Sequence, residues 1–210
     1  MNILNDLKLW MIEALKFFYS VSGNWGAAII LLTVAVKLAL YPLTLQSTKQ
    51  MEAMQKLQPK MEALKKKLGD QPEKLQKETI ELYKTEGVNP LGGCLPMLLQ
   101  IPVFLALFYA LTSQEFAKVL AGAGHSAKFL WITNLAKPDP SFILIVLIGL
   151  TTYWTTMTMP GGGGKQQKAM LYFMPGFIAI ISMSFPAGVQ LYWVVQNILT
   201  IAQQVYILRK

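Results

Sequence analysis

Five near-continuous apolar stretches organise the chain, at about 26–45, 91–111, 141–159, 169–185 and 187–207. Each is long enough to cross a bilayer as a helix, for which about 20 residues suffice, within a range of about 17–25. Ahead of the first stretch, Leu4, Leu7, Met11, Leu15 and Phe18 recur at helical spacing, while Asn5, Asp6, Glu13 and Lys16 fall mostly elsewhere. The pattern predicts an amphipathic helix within 1–24 that lies in the outer interface without crossing it. Residues 47–86 are the only extended polar region. There Met51, Met54, Met61, Leu64 and Leu68 follow a three–four spacing, which Leu75, Thr79 and Leu82 resume after "GDQP". Gly69 and Pro72 suit a helix stop and restart. The region reads as a hairpin of two amphipathic helices.

Breakers mark the joints. "GVNPLGG" (87–93) opens the second stretch, where Asn89 suits a cap and Pro90 a first turn. Pro96 and Pro102 lie inside that stretch and predict a kink. "FPAG" (185–188) is a tight turn between the last two stretches, and "PGGGGKQQK" (160–168) is a flexible loop. In the 113–140 loop, Trp131 of "WITNL" suits the head-group level. No internal repeat is visible.

Composition agrees with a membrane protein: 53% of residues are hydrophobic and only 14% charged, against about 25% charged in soluble domains. The distribution of charge then orients the chain. Residues 47–89 hold nine lysines and seven acids, and Lys165, Lys168, Arg209 and Lys210 lie in alternate connections of a five-span chain. Those segments, on one side, carry 13 of the 19 basic residues, while Lys8, Lys16, Lys118, Lys128 and Lys137 fall on the other. Basic excess marks the cytoplasmic side. The hairpin and the C-terminus are therefore expected inside and the N-terminus outside. Asp6, Glu13 and the absence of a basic start or small-residue cleavage site argue against a cleavable signal. An N-terminus that reaches the outside without one suggests a chain trimmed from a longer precursor.

One charge sits where it is expensive. Lys37 is the only charged residue between Lys16 and Lys49, and an ammonium at the middle of a membrane helix costs on the order of 3 kcal/mol. No acid lies in any of the five stretches, so it has no internal counter-ion. Thr33, Lys37, Tyr41 and Thr44 share one helical face. Gln196, Thr200 and Gln203 form a second stripe, with Asn197 and Gln204 beside it. Gln100 lies midway along the second stretch, and the third ends in "TTYWTTMT" (151–158), which contains Thr155. In the expected topology these residues fall in the inner half, while outer halves such as "AAIILL" and "FILIVLIGL" are apolar. Polar residues inside a membrane face a bundle interior or a water-filled cavity. The expectation is a hydrated pocket open to the cytoplasm, with Lys37 at its deep end and Thr33, Gln100, Thr155, Gln196, Asn197 and Thr200 around it. For each neutral member, hydrogen bonding between helices as packing glue is the competing reading. Lys65, Lys66 and Lys67, near the hairpin tip, are either a solvated face or a docking patch for RNA or lipid head groups.

Catalytic patterns are missing. The single histidine, His125, has no Cys, Asp or Glu beside it, and the single cysteine, Cys94, cannot form an internal disulfide. There is no HExxH, GxSxG or phosphate loop. No enzyme activity, cofactor or metal is expected.

The stretches "YPLT" (41–44), "LQPKMEALKKKLGD" (57–70), "LYKTEGVNPLGGCLPMLLQIPVFLALFYAL" (82–111), "DPSFILIVLIG" (139–149) and "FPAGVQLYWVVQNILTIAQQ" (185–204), in this order, resemble the YidC family of membrane protein insertases, with its mitochondrial and chloroplast relatives. The resemblance implies an all-α membrane protein of five helices around a positively charged groove, open to the cytoplasm and lipid and closed outside, in the bacterial cytoplasmic membrane. It places Lys37 at the position of a basic residue, usually arginine, that recruits acidic substrate segments; lysine keeps the charge but gives up the planar fork. It assigns substrate recruitment to the hairpin, with Met54, Met61 and Lys65–Lys67 as candidate docking residues. Expected partners are nascent membrane proteins, the bilayer, the ribosome and the Sec translocon, and no specific DNA. The sequence stops at Lys210, without the long basic tail that would imply tight ribosome contact. The expected function is insertion of hydrophobic segments without nucleotide hydrolysis. A ribosome or translocon docking scaffold, a chaperone without insertase activity, and a small transporter are the rivals.

Overall fold

The computed structural model describes the backbone of residues 3–122, 128–158 and 165–208 and the side chains of 5–89, 98, 100–122, 128–158 and 171–207. His125, the 161–164 glycines, Arg209 and Lys210 lie outside the described residues, as do the side chains of Cys94, Lys165 and Lys168. Among the described residues the fold is all helical: α1 (Ile3–Ser22), α2 (Trp25–Ala39), α3 (Tyr41–Leu68), α4 (Pro72–Thr85), α5 (Pro90–Leu111), α6 (Gln114–Gly122), α7 (Ile143–Thr158), α8 (Lys165–Ser182) and α9 (Ala187–Leu208).

The amphipathic start is α1, which turns its Ile12–Leu15 face to the core and leaves Trp10, Phe17 and Val21 exposed. Gly23 ends it with φ +68, a left-handed conformation that glycine adopts without strain. The chain then turns by 114° into α2. Asn24 caps α2, its Oδ1 accepting from the amides of Gly26 at 2.9 Å and Ala27 at 3.2 Å. Its Nδ2 donates to the Lys128 carbonyl at 2.7 Å, tying this end to the distant loop.

The expected first span, 26–45, is not one helix. It breaks at Leu40, because Pro42 lacks an N–H and its ring would meet the carbonyl one turn back. α2 therefore has 15 residues, about 22 Å at 1.5 Å per residue. α3 continues for 28 residues with Pro59 inside it. It ends at Leu68, and Gly69, Asp70 and Gln71 turn the chain into α4. Lys60 pairs with Glu86 across this hairpin. The 113–140 connection contains a helix the pattern did not announce, α6, bent 57° from α5. Among the described residues no single helix is long and apolar enough to cross a membrane alone; the α1–α2 and α5–α6 pairs pass that test only together, and α7 is a shorter apolar helix.

Packing is polarised along the bundle. α9 lies at the centre and contacts α2, α5 and α7, while α8 packs on α7 and α1 crosses α2 and α5. The buried apolar core comes from Leu15, the starts of α2 (Trp25, Ile29), α7 (Leu144, Ile148) and α9 (Val189), the end of α5 (Leu107, Leu111), and Phe116 of α6. All these segments meet at one end, the outer end in the expected topology. Trp25 stacks on Tyr19 at 4.2 Å and meets Phe116 edge-on at 5.2 Å. The 128–141 loop seals this end. Its Phe129 lies against Gly26, where a Cβ would come within 2.1 Å of the ring. The carbonyls of Lys137 and Leu135 accept from the amides of Ala187 at 2.8 Å and Gly188 at 2.9 Å, at the start of α9. Asp139 is buried; its carboxylate accepts from the Ser141 hydroxyl at 2.7 Å, the Ser141 amide at 3.1 Å and the Leu144 amide at 3.2 Å, and the Trp131 indole donates to it at 3.4 Å. Burial works against its charge, but these donors outweigh burial and hold the carboxyl below its usual range.

Candidate functional site

At the other end of the bundle the same helices are polar. α2 carries Lys37 to α9, where its Nζ donates to Thr200 Oγ1 at 2.8 Å. The Thr200 hydroxyl donates to the Gln196 carbonyl one turn back, at 2.7 Å. The Gln196 side-chain amide donates to Gln100 Oε1 on α5, and the Gln100 amide donates to the Tyr192 hydroxyl. Tyr192, Gln196 and Thr200 stand at i, i+4 and i+8, one face of α9. Three helices thus share one polar chain with an ammonium at its end.

A second seam joins α9 to α7. Asn197 Nδ2 donates to the hydroxyls of Thr151 and Thr152, both at 3.0 Å, and the Thr158 hydroxyl donates to Gln204 Oε1 at 2.7 Å. Thr155 lies on the same α7 face as Thr151 and Thr158. Its hydroxyl, Gln196 Oε1 and Gln203 Nε2 are buried with no protein hydrogen-bond partner. Leaving such a group dry costs about 1–3 kcal/mol, and buried polar groups of this kind bind ordered water where there is room for it.

Of the residues expected around Lys37, the structure brings Gln100, Gln196 and Thr200 into its hydrogen-bonded chain. Asn197 and Thr155 belong to the neighbouring α7–α9 seam. Thr33 does not join either: it is fully buried, and its hydroxyl donates to the Ile29 carbonyl of its own helix at 2.6 Å. Tyr192, only 3% exposed, was missed because an apolar run hid it. Its place four residues before Gln196 is the signal that marks it.

Lys37 is half-buried and has no acidic partner among the described residues. The ion pairs among the described residues are Lys8–Glu115, Lys16–Glu13, Lys56–Glu52 and Lys60–Glu86. No acid follows Asp139 in the sequence. Thr200 is a neutral partner that orients the ammonium without cancelling it. On the hairpin, Lys65, Lys66 and Lys67 are exposed, and Met54 and Met61 are half-buried. Among the described residues no cluster of His, Cys, Asp or Glu could hold a metal.

Comparison with known proteins gives a consistent result. The family model described as 60Kd inner membrane protein matches residues 17–210. Proteins named membrane protein insertase YidC are similar along most of the chain. The one from Oleidesulfovibrio alaskensis is 43% identical over 202 residues, covering 95% of this chain and 38% of its own. The one from Geobacter sulfurreducens is 44% identical over 199 residues, covering 95% and 36%. The one from Laribacter hongkongensis is 45% identical over 195 residues, covering 93% and 34%. The chain thus spans little more than a third of the length of these relatives. A crystal structure of an active YidC insertase with its first transmembrane domain resolved superposes with a TM-score of 0.76 at 28% identity, over 96% of this chain and 46% of that one. On sequence and fold together, this chain belongs to the 60Kd inner membrane protein family, the family of the YidC insertases.

Proposed function

We propose that the chain guides hydrophobic segments of nascent membrane proteins from the cytoplasm into the bilayer through a hydrated notch whose deep end is Lys37. The observation that carries this reading is the half-buried ammonium whose hydrogen-bond partner among the described residues is a hydroxyl, in a chain with no acid in any apolar stretch. A cation kept without a counter-ion is suited to an anionic visitor, here the acidic or polar flank of a substrate. The hydrogen-bonded chain from Lys37 through Thr200, Gln196 and Gln100 to Tyr192 supports hydration of the polar end, and the apolar core supports closure of the other. The two ends of the bundle then have different tasks.

The physical gain is a shortened barrier. Water and polar side chains solvate the flank through the inner half, so only the apolar half remains to be crossed. The short α2 and α7, with 15 and 16 residues, act in the same direction. Helices of about 22–24 Å are shorter than the hydrocarbon core of about 30 Å, and mismatch of this sign thins the surrounding lipid. The apolar part of the substrate leaves sideways into lipid, driven by its own burial. No nucleotide is required. Five spans with the N-terminus outside and the hairpin and C-terminus inside complete the arrangement. The hairpin, through Met54, Met61 and Lys65–Lys67, makes the first contact with the substrate, and the ribosome and Sec translocon are its proposed suppliers.

The test is purified protein in liposomes that contain no other translocase, supplied with a radiolabelled single-span substrate and assayed by protease protection. Protected substrate supports insertase activity. Crosslinking without protection refutes it in favour of a docking scaffold, and solute flux without protection in favour of a transporter.

A further inference from the structure

The sealed end of the bundle carries a feature its sealing role does not require. The amides of Phe129 and Ile132 each donate to the other's carbonyl, at 2.9 and 2.8 Å, closing a two-residue hairpin turn with Leu130 and Trp131 at its tip. Leu130 has φ +52. The first central position of such a turn, when left-handed, is ordinarily glycine. A second left-handed residue, Phe142 at φ +59, stands immediately before α7. Both are large apolar residues, and both are mainly exposed, at 75% and 57%. Backbone strain is therefore retained at two points where the side chain fills no core. The side chains themselves are the reason to keep it.

Asp139 holds the two points on one scaffold. It receives the Trp131 indole from the hairpin tip and the Ser141 and Leu144 amides from the turn that contains Phe142. Phe142 also begins an exposed apolar stripe that continues down α7 through Ile143, Val146, Leu150 and Trp154. The exposed Lys128 and Lys137 flank the hairpin.

We propose that Leu130, Trp131 and Phe142 form a lipid wedge that enters the boundary between head groups and acyl chains at the N-terminal end of α7 and fixes the depth of the sealed end. The wedge continues a lipid-facing helix stripe, it is bordered by cations that complement phosphate, and its tryptophan has the amphipathic form favoured at this level. A bilayer surface is thus its occupant. The inference rests on the membrane placement of α7 but is independent of insertase activity.

The experiment uses the full chain with Cys94→Ser, reconstituted in phosphatidylcholine–phosphatidylglycerol vesicles. A small environment-sensitive fluorophore is placed at Leu130→Cys or, as control, at Leu150→Cys. The expected result is quenching of the Leu130 probe by lipids brominated near the head group more than by lipids brominated near the chain end, with the Leu150 probe quenched most by the deeper bromines. A quenched Leu150 probe beside a water-exposed Leu130 probe overturns the wedge and leaves the placement of α7 intact. Quenching of neither overturns both. As a second arm, Leu130→Gly relieves the strained turn, so its thermal midpoint should hold or rise, while shallow quenching of a probe at Phe142→Cys falls by roughly half as the wedge loses apolar area. A lowered midpoint with unchanged quenching would show that Leu130 serves packing and not lipid.

Discussion

Lys37 on α2 and Thr200 on α9, 163 residues apart, meet at 2.8 Å. The contact joins two helices without neutralising the charge. A carboxylate arriving at about 4 Å would gain about 4 kcal/mol at an effective dielectric of 20, and about 1 kcal/mol in bulk water. In the proposed insertion role, this half-buried position is what would favour acidic flanks over neutral ones.

Lys37→Ala should slow insertion of substrates with acidic flanks by on the order of tenfold, the rate equivalent of about 1.4 kcal/mol, and slow neutral-flank substrates much less. Lys37→Arg should retain activity. Initial rates of protease protection in proteoliposomes measure both. Equal loss for acidic and neutral flanks would assign Lys37 to structure.

The sequence made some of this legible and hid the rest for physical reasons. Helical spacing and breakers located α1, the α3–α4 turn, α7 and α9, because amphipathic periodicity and proline chemistry are local. Pro42 signalled the break at Leu40, but the apolar residues on either side of it read as one span, and the 9 residues of α6 are too few to show a clear period. Lys37, Gln100, Gln196 and Thr200 stood out as polar residues in apolar surroundings. Thr33 stood out equally, yet it bonds to its own helix; composition does not distinguish a hydroxyl that faces a neighbour from one that bonds backward. The Asp139 scaffold depends on contacts within a loop that has no periodic pattern.

Asp139→Asn should lower the thermal midpoint at neutral pH, by an amount equivalent to about 1–3 kcal/mol for a buried charged acceptor. Because the folded carboxyl is held below its unfolded value, its contribution is complete above the usual carboxylate pKa of about 3.9. It is lost as pH falls through the lower folded value. The gap between parent and variant midpoints should therefore be constant near neutrality and close in acid. Thermal unfolding in detergent across this range checks it.

Gly26→Val should destabilise the sealed end, since a Cβ there would lie 2.1 Å from the Phe129 ring and overpacking costs about 1–3 kcal/mol. Phe129→Ala combined with Gly26→Val should recover part of the loss. Thermal midpoints of the single and double variants give the coupling. Strict additivity would show that the two sites are not in contact.

Replacing Lys65, Lys66 and Lys67 together by glutamine should weaken capture of substrate or of anionic vesicles in a salt-dependent way, without changing the folded state of the bundle. Deletion of 50–84 should likewise reduce delivery more than residence of the protein in the membrane. Crosslinking yield against salt concentration, with helicity followed by circular dichroism, separates capture from folding.

The hydrated, cation-bearing notch is tested most directly by thiol labelling with a membrane-impermeant reagent. Variants with Cys94→Ser and a single cysteine at Gln100, Gln196, Thr200 or Leu107 are compared in vesicles of known orientation. The account predicts rapid labelling at Gln100, Gln196 and Thr200 from the hairpin side, none from the opposite side, and none at Leu107 in the sealed core. Polar positions that resist the reagent from the hairpin side, or that react only from the other, would contradict it.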